Sequence, residues 1–572
     1  MTLGQLKFWL SKVQVPAEPG LSTAQLMLTN DDLRPGKTMA NIFLERSISE
    51  IMISIFTKKC QFDSSTIVEP ERRQWGWLNF VAFWIADSLN VNTWMISSSM
   101  IVDGLSWWQS WLCVWIGYTV SAVFVYILGR IATIYRIPFA VANRASFGIW
   151  GSFWPIINRA AMAIIWYGVQ VCKSPLHVRP FLTVSHPKKT YLGGECVTLM
   201  IAAIWPSYNN LPNSIPTSSG VTTKQFVSFL LFWLLSLPAL WFPIYKVRHL
   251  FTVKAYFSPA CAIAFFGWAI ARAHGLGPII DQSNQAHGSA LAWAFVKSIM
   301  SCIANFAALV INNPDFTRYA RDPKDALWPQ LITIPVGFAV TSFIGIIVSS
   351  SSSVIFGQTV WNPLTLLGMF LQDASSAERF GIFVIAAGFA LAQLGTNIAA
   401  NSVSAGTNLT ALLPRFCTIR RGDISWTLVE SSSKFTLYLS AYSGFLSAIA
   451  GVMASDYYLV RKGFLDVQSL YSAQRGGIYY GTLGVFWHGY AAYICGILIN
   501  IVGFAGAIGV DVPMGAKYIY NINYFSGFIV SGAVYWILAW AVPIPGASHT
   551  WNEVPYEPHH MSEAEEKKVE DV

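Results

Sequence analysis

The chain has 572 residues, of which 54% are hydrophobic, 15% aromatic and only 12% charged. Soluble domains are about one quarter charged, so this composition excludes an ordinary soluble protein and indicates a polytopic membrane protein. The net charge of +8 requires no nucleic-acid partner, because the cytoplasmic loops of membrane proteins are basic.

Residues 1–76 are polar or mixed and end in the charged run Glu69–Arg73, immediately before the first apolar span. Lys and Arg are enriched on the cytoplasmic flanks of membrane spans. We therefore predict that residues 1–76 form a cytoplasmic N-terminal tail.

The first span, Trp77–Asp103, is longer than the roughly 20 residues needed to cross a bilayer. It nevertheless carries Asp87, Asn90 and Asn92 near its middle. A carboxylate at that depth is costly unless it faces a water-filled cavity or a partner, which favours a functional site. The alternative is a polar cluster that only packs helices together.

Ten further apolar segments indicate membrane spans. In chain order they are Trp108–Leu128, Ser152–Gln170, Phe226–Tyr245, Ala255–Ala271, Leu291–Asn312, Leu331–Ser350, Phe380–Asn401, Phe435–Leu459, Tyr479–Gly509 and Tyr524–Val542. The basic clusters, which are expected to be cytoplasmic, lie at 72–73, 130–144, 246–254, 318–324, 415–421 and 461–462. An even number of crossings must then separate neighbouring clusters. Only one apolar segment lies between Arg421 and Arg461, which favours a missing helix over a misplaced cluster.

The sixth span ends at Asn312-Asn313-Pro314-Asp315. The proline removes a backbone donor and Asp315 can cap a helix that restarts, so we predict a helix break here. Corresponding interrupted helices in two halves of a chain point to a transporter site, and the first span is the counterpart. Spans one to five and six to ten would then form two repeats. The alternative is an ordinary cytoplasmic helix end.

Two further spans carry polar residues that could face a ligand. In the third span Trp166 and Gln170 are four residues apart and so share one helix face. An indole and a primary amide suit a flat heterocycle with ureide or lactam edges, although this motif alone favours helix packing. In the eighth span Thr396, Asn397 and Asn401 need polar partners within an apolar helix.

The sequence lacks the patterns of common catalytic and metal sites. It contains no nucleophile with a base and an orienting group, no Walker loop, no HExxH and no Gly-rich dinucleotide motif. Its eight Cys are isolated, without zinc-ligand spacing or a disulfide framework. We therefore expect no enzyme, no cofactor and no metal.

Six stretches occur in a characteristic order. They are RRQWGWLNFVAFWIADSLNVNTWM, PFAVANRASFG, AIIWYGVQ, NNPDFTRYA, GTNIAANSVSAGTNLTALLPR and GVMASDYYLVRKG. Together they resemble the fungal uracil/allantoin permease branch of the nucleobase-cation-symport-1 family, and the resemblance extends from about Val68 to Pro545. It implies an all-α membrane protein of twelve helices with a leucine-transporter-like 5+5 inverted repeat, which moves nucleobases or related compounds with a cation by alternating access.

The resemblance also implies the substrate residues. Trp166 matches the stacking tryptophan of the family and Gln170 its amide-reading glutamine. Asn401 matches a substrate-binding asparagine of the eighth span. Phe306 and Asn90 fall at further positions on the substrate side.

Residues for the coupled cation follow from the same resemblance. Ala86, Leu89, Ala392 and Thr396 correspond to residues of the sodium site of a bacterial relative. In this chain, Gly395 stands at the position where that site has a second hydroxyl. That loss weakens the case for sodium coupling, and the fungal members that this chain resembles are proton symporters. The hypothesis is that Asp87 is the proton-linked carboxylate.

Three segments depart from the family pattern. Residues 36–67 and 172–190 are atypical inserts, and 421–434 is a shortened ninth-helix region. They indicate either an erroneous gene model or a diverged, inactive paralogue. We otherwise predict a transporter domain over 77–545 and a cytoplasmic C-terminal tail over 546–572.

The expected function is import of uracil, allantoin, uridine or a related compound by a multi-pass symporter of the plasma membrane, with both termini cytoplasmic. H⁺ is favoured over Na⁺ as the co-transported cation. The alternatives are a transport-inactive, receptor-like paralogue and a thiamine- or nucleoside-specific member of the same family. The expected partners are the substrate, the cation and the lipid bilayer, with no nucleic acid.

Overall fold

The fold is known from a computed structural model that describes residues 68, 72–171, 192–216, 222–240, 244–276, 280, 286–412, 443–507 and 509–554. The predicted inserts at 36–67 and 172–190 and the shortened ninth-helix region at 421–434 lie outside these residues. Within the described ranges the chain is helical, and β-structure is limited to two isolated bridges, Trp75 with Ala320 and Thr482 with Val485.

The helices are numbered here in chain order. They are α1 (Trp77–Ser88), α2 (Val91–Val102), α3 (Trp107–Tyr135), α4 (Phe139–Ala142), α5 (Arg144–Phe147), α6 (Phe153–Val171), α7 (Leu192–Ile204), α8 (Thr223–Leu240), α9 (Ile244–Arg272), α10 (Gly288–Thr317), α11 (Pro323–Phe356), α12 (Pro363–Phe370), α13 (Ser376–Asn397), α14 (Val403–Leu412), α15 (Ser443–Ser455), α16 (Val467–Leu470), α17 (Trp487–Ala507), α18 (Met514–Tyr520) and α19 (Asn523–Ala541). A π turn, Ile398–Ser402, joins α13 to α14, and a second, Asp456–Val460, follows α15.

Among the described residues, seven helices are long and apolar enough to cross a membrane: α3, α9, α10, α11, α13 with its continuation, α17 and α19. Their outer faces carry large apolar side chains such as Ile332, which is 65% exposed, and Trp540, which is 80% exposed. Such faces suit lipid, where helices are favoured because they satisfy their own backbone hydrogen bonds. The total of twelve membrane helices stays a prediction.

One group of helices consists of α1, α2, α3, α10 and α11, which pack along one another. Close approach is possible because α11 presents a glycine to α2: a Cβ on Gly345 would lie 3.0 Å from Cγ of Trp94. Next to it, Ser98 donates to the carbonyl of Gly345 (3.1 Å) and Ser349 donates to the Ser98 hydroxyl (2.9 Å). Small residues and interhelical hydroxyl bonds thus hold this group together.

The predicted break in the sixth span is wrong, because α10 runs unbroken from Gly288 to Thr317 with Pro314 inside it. Pro314 lies only three residues before the end of α10. A membrane helix tolerates the loss of one backbone hydrogen bond where neighbouring helices compensate. Of the two predicted interruptions, the structure therefore contains only that in the first span.

A second group contains α7, α8, α9 and α13, in which α13 contacts α7 and α9. Ser375 and Glu378 form a capping box at the start of α13. The fifth span begins earlier than predicted, since α9 starts at Ile244 and not at Ala255. The assignment of Lys254 to a cytoplasmic cluster is therefore wrong, because Lys254 is completely buried within α9.

The third group, α15, α17 and α19, packs against α10. Beyond it, residues 543–554 form a strap over the end of α3 and the second π turn. In the strap, Ser548 N donates to the carbonyl of Val460 (3.0 Å) and Asn552 N to that of Lys462 (2.9 Å). Glu553 pairs with Arg130 of α3 (2.5 Å). The end of the described chain is thereby attached to one of its first membrane helices.

Candidate functional site

The first span is interrupted between α1 and α2, and Asn90 stabilises the interruption. Its Nδ2 donates to the carbonyl of Asp87 (2.6 Å) and its Oδ1 accepts from Thr93 N (2.7 Å). An Asn at this position satisfies a backbone donor that the start of α2 would otherwise leave unpaired. From α13, the Gln393 Oε1 accepts from Val91 N (3.3 Å). The broken helix is thus attached directly to the eighth span.

A buried charge pair lies beside this interruption. Asp87 and Lys254 are both buried and interact electrostatically. The ammonium group of Lys254 donates to the hydroxyl of Thr396 (2.7 Å), while Oδ1 of Asp87 is buried and accepts no hydrogen bond from the residues that the structure describes. Three helices, α1, α9 and α13, therefore each contribute one polar side chain to a single small volume.

Gly395 makes room for the lysine. A Cβ at this position would lie 2.6 Å from Cδ and 3.3 Å from Nζ of Lys254, so any side chain here would collide with it. Ala86 and Leu89, at the end of α1, and Ala392, in α13, are the other residues expected around a cation, and all three are buried. The family resemblance places a sodium ligand at Thr396, and in this structure the ammonium group of Lys254 contacts that residue.

The π turn Ile398–Ser402 carries Asn401. Its Nδ2 donates to Oδ1 of Asn397 (2.8 Å), and both residues are buried. The backbone of α6, which carries Trp166 and Gln170, packs along this π turn and along α14. The side chains of Trp166 and Gln170 lie outside the described residues.

Phe306 has a different environment. Its ring stacks on Trp84 of α1, with ring centroids 5.7 Å apart, and packs against Tyr118 and Phe338. Phe306 is fully buried in these contacts. Its ring partners among the described residues lie on α1, α3 and α11 and not on the turn that carries Asn401.

An ion pair that the sequence did not predict joins α6 to α10. Nη2 of Arg159 lies 2.8 Å from Oδ2 of Asp315, and both side chains are almost completely buried. The same guanidinium donates to Oδ1 of Asn408 in α14 (2.6 and 2.9 Å). Asp315 Oδ1 accepts from Phe139 N (3.2 Å) and so caps α4, instead of a restarted α10.

Only Arg159 gave a direct sequence signal, as a lone basic residue inside an apolar helix, which requires an acidic partner. Lys254 lies at the end of the basic cluster 246–254, so its sequence neighbours concealed its buried position. The partners Asp87 and Asp315 are far away in the sequence, so the pairing could not be read from spacing. For Lys254 the unusual Gly395 was an indirect signal.

Comparisons with a family profile and with individual known proteins point to the same family. A family profile described as "Permease for cytosine/purines, uracil, thiamine, allantoin" matches residues 67–527. The allantoin permease of Saccharomyces cerevisiae is 44% identical over 505 residues, covering 84% of this chain and 76% of that protein. The uracil permease of the same organism is 42% identical over 501 residues, with the same coverage of both chains.

The fold is also that of a solved transporter. Mhp1, a nucleobase-cation-symport-1 family transporter solved in a closed conformation with bromovinylhydantoin bound, has a TM-score of 0.60 and 20% sequence identity. The match covers 84% of this chain and 97% of Mhp1. The leucine-transporter-like fold expected from the sequence is thereby confirmed.

Proposed function

This chain belongs to the family of permeases for cytosine/purines, uracil, thiamine and allantoin, and from that premise we propose that it imports a nucleobase or related compound together with a proton by alternating access. The proposed cargo belongs to the uracil, allantoin and uridine class, which the similarity to allantoin and uracil permeases supports. The single observation that carries proton coupling is the buried ammonium group of Lys254 against Thr396.

Electrostatics favours a proton over sodium at this place. Repulsion between like charges opposes the binding of a metal cation next to a buried ammonium group, and the repulsion is strong where water is excluded. The carboxylate of Asp87 can accept a proton instead. The backbone near Ala86, Leu89 and Ala392 is proposed to surround the coupled charge.

Protonation of Asp87 changes the balance of charge between helices. With Asp87 ionised, the pair with Lys254 attracts α1 to α9; with Asp87 protonated, this charge–charge attraction is lost. A ligand or proton shifts a conformational equilibrium only when it interacts differently with the two states. The attraction between α1 and α9 differs between the two protonation states of Asp87. This difference biases the position of α1 relative to α9 and α13.

We assign substrate recognition to Trp166, Gln170 and Asn401. The packing of α6 along the π turn of Asn401 supports a shared pocket. Phe306 and Asn90 are proposed to act on the pocket indirectly. Phe306 does so through its stacking on Trp84 and Asn90 by holding the interruption between α1 and α2.

Uptake of radiolabelled uracil and allantoin tests the proposal, in fungal cells that lack their own uracil and allantoin permeases. We expect accumulation that is stronger in acidic medium, is abolished by a protonophore and is insensitive to sodium. Asp87→Asn should abolish the pH-dependent accumulation, because an amide cannot take up the coupled proton. Asp103→Asn, which changes a half-exposed carboxylate at the end of the same span, is the matched control and should leave uptake unchanged.

Two results would contradict the proposal. If Asp87→Asn retained pH-dependent accumulation, the proton-linked role of Asp87 would be rejected. Binding of labelled ligand to the wild type without accumulation would indicate the receptor-like alternative.

The proposed location is the plasma membrane, with the tails 1–76 and 546–572 in the cytoplasm. The basic clusters of the chain support this orientation. Epitope tags at both termini should become accessible to antibody only after cells are permeabilised. Labelling of either tag on intact cells would contradict the proposed cytoplasmic location of that terminus.

A further inference from the structure

The π turn between α13 and α14 interrupts the α-helical hydrogen bonding of the eighth span. In a π turn the backbone hydrogen bonds run from residue i to i+5, and such turns occur mainly as single interruptions of α-helices, frequently at functional sites. Asn401 lies within this turn. The direction of its amide therefore depends on whatever fixes the backbone of the turn.

Asn312 of α10 makes side-chain hydrogen bonds at the end of this turn. Its Nδ2 donates to the carbonyl of Ala400 (2.6 Å), the residue immediately before Asn401. Its Oδ1 accepts from the hydroxyl of Ser404 (2.8 Å), in the first turn of α14. The amide of Asn312 thus bridges the π turn and the helix that follows it.

The chemistry fixes the orientation of this amide. A backbone carbonyl can only accept a hydrogen bond, so the NH₂ group of Asn312 must face Ala400, and its oxygen then faces the donor hydroxyl of Ser404. Asn312 is 1% exposed. In a buried, apolar setting, loss of either bond leaves an unsatisfied polar group and is costly.

We propose that Asn312 is a positioning residue for substrate recognition: it holds the π turn so that the amide of Asn401 is presented to the substrate. This inference rests on the proposed function, in which Asn401 binds the substrate. Because Asn312 belongs to α10 and the π turn to the eighth span, the affinity of the site then depends on how α10 lies against that span.

The neighbouring residue provides a matched control. Asn313 is also an asparagine of α10 and is 3% exposed, and its Nδ2 donates to the carbonyl of Val125 in α3 (2.8 Å). Asn312→Ser and Asn313→Ser therefore remove the same chemical group from adjacent positions at similar burial. Only the first of these bonds reaches the π turn.

The test measures KM and maximal uptake rate for uracil or allantoin, whichever the wild type accumulates, with cell-surface protein quantified in parallel. Asn312→Ser removes both hydrogen bonds of the Asn312 amide and should raise KM about five- to tenfold, the cost expected if the displaced amide of Asn401 loses one hydrogen bond to the substrate. Asn313→Ser should change only the amount of surface protein. Ser404→Ala, which removes the donor to Oδ1 of Asn312, should raise KM in the same direction but less, and it decides the question if Asn312→Ser does not fold.

A double-mutant cycle separates positioning from general stability. Ligand-induced thermal stabilisation of purified protein is measured for Asn312→Ser, Asn401→Ala and the double variant. If Asn312 acts through Asn401, its effect on affinity disappears in the Asn401→Ala background. An unchanged KM in both Asn312→Ser and Ser404→Ala, or an equal effect with and without Asn401, would overturn the inference. Failure of the wild type to bind or accumulate any nucleobase or ureide would instead reject the proposed function.

Discussion

At the scale of single residues, Gly395 and Lys254 explain each other. The sequence comparison identified Gly395 as a lost hydroxyl, but only the structure gives the reason, since a Cβ there would lie 2.6 Å from Cδ of Lys254. The glycine and the lysine are 141 residues apart and on different helices, α13 and α9. A hydroxyl-bearing side chain at position 395 would force the buried lysine side chain to move.

We therefore predict that Gly395→Ser destabilises the protein by about 1–3 kcal/mol, the usual cost of overpacking a buried site. The measurement is the thermal midpoint of detergent-solubilised protein, followed by fluorescence size exclusion. Gly381→Ser on the same helix is the control, because nothing lies within 4 Å of a Cβ at Gly381. Equal midpoints for the two variants would contradict the packing argument.

At the scale of helices, buried polar contacts between spans replace the break expected at Pro314. Asp315 does not cap a restarted α10; it pairs with Arg159 of α6, which in turn binds Asn408 of α14. The planar guanidinium can satisfy several acceptors at once, which a lysine cannot. The third, sixth and eighth spans are thus joined at one buried point.

We expect Asp315→Asn to reduce stability by about 3–5 kcal/mol, because it leaves the buried guanidinium of Arg159 without a counter-charge. The effect should appear as a lower thermal midpoint and less monodisperse protein. Lys297→Met is the comparison variant on α10, since the pair of Lys297 with Asp103 is long, at 3.8 Å, and largely exposed. A similar drop in thermal midpoint in both variants would show that the buried pair contributes no more to stability than the exposed pair.

At the scale of the whole molecule, the relatives are permeases, which confirms the transporter class and the expectation that the chain is not an enzyme. The strap of residues 543–554 joins the end of the described chain to α3. Glu553 accepts two bonds from Arg130, at 2.9 Å and 2.5 Å, and one from the hydroxyl of Tyr457. Trp551 lies against Tyr457 and Tyr458.

A double-mutant cycle between Arg130→Gln and Glu553→Gln should give a coupling of about 1 kcal/mol in thermal stability, since the pair is bidentate but partly exposed. Asp511→Asn, an exposed carboxylate in the loop after α17, should leave the midpoint unchanged. Additive effects of the Arg130 and Glu553 variants would show that the strap is not fixed by this pair.

Composition, hydropathy and ordered motifs were sufficient to predict the class of protein, the family and the approximate position of most spans. Hydropathy suffices for this because lipid admits only helices of a certain length whose backbone is internally satisfied. The interruption of the first span was also readable, since Asp87 and Asn90 are polar at membrane depth. The apolar patterns of α3, α11 and α19 are visible in the sequence, and the ends of the predicted spans differ from those of the helices by one to eight residues.

Which polar residues contact one another became visible in the packed helices alone. Lys254 was assigned to a loop, Asp315 to a helix cap and Asn312 to a helix end. The structure buries all three against partners on other helices. The physical reason is that one polar residue in an apolar helix reveals a need for a partner, while the partner is chosen by helix packing between distant segments of the chain.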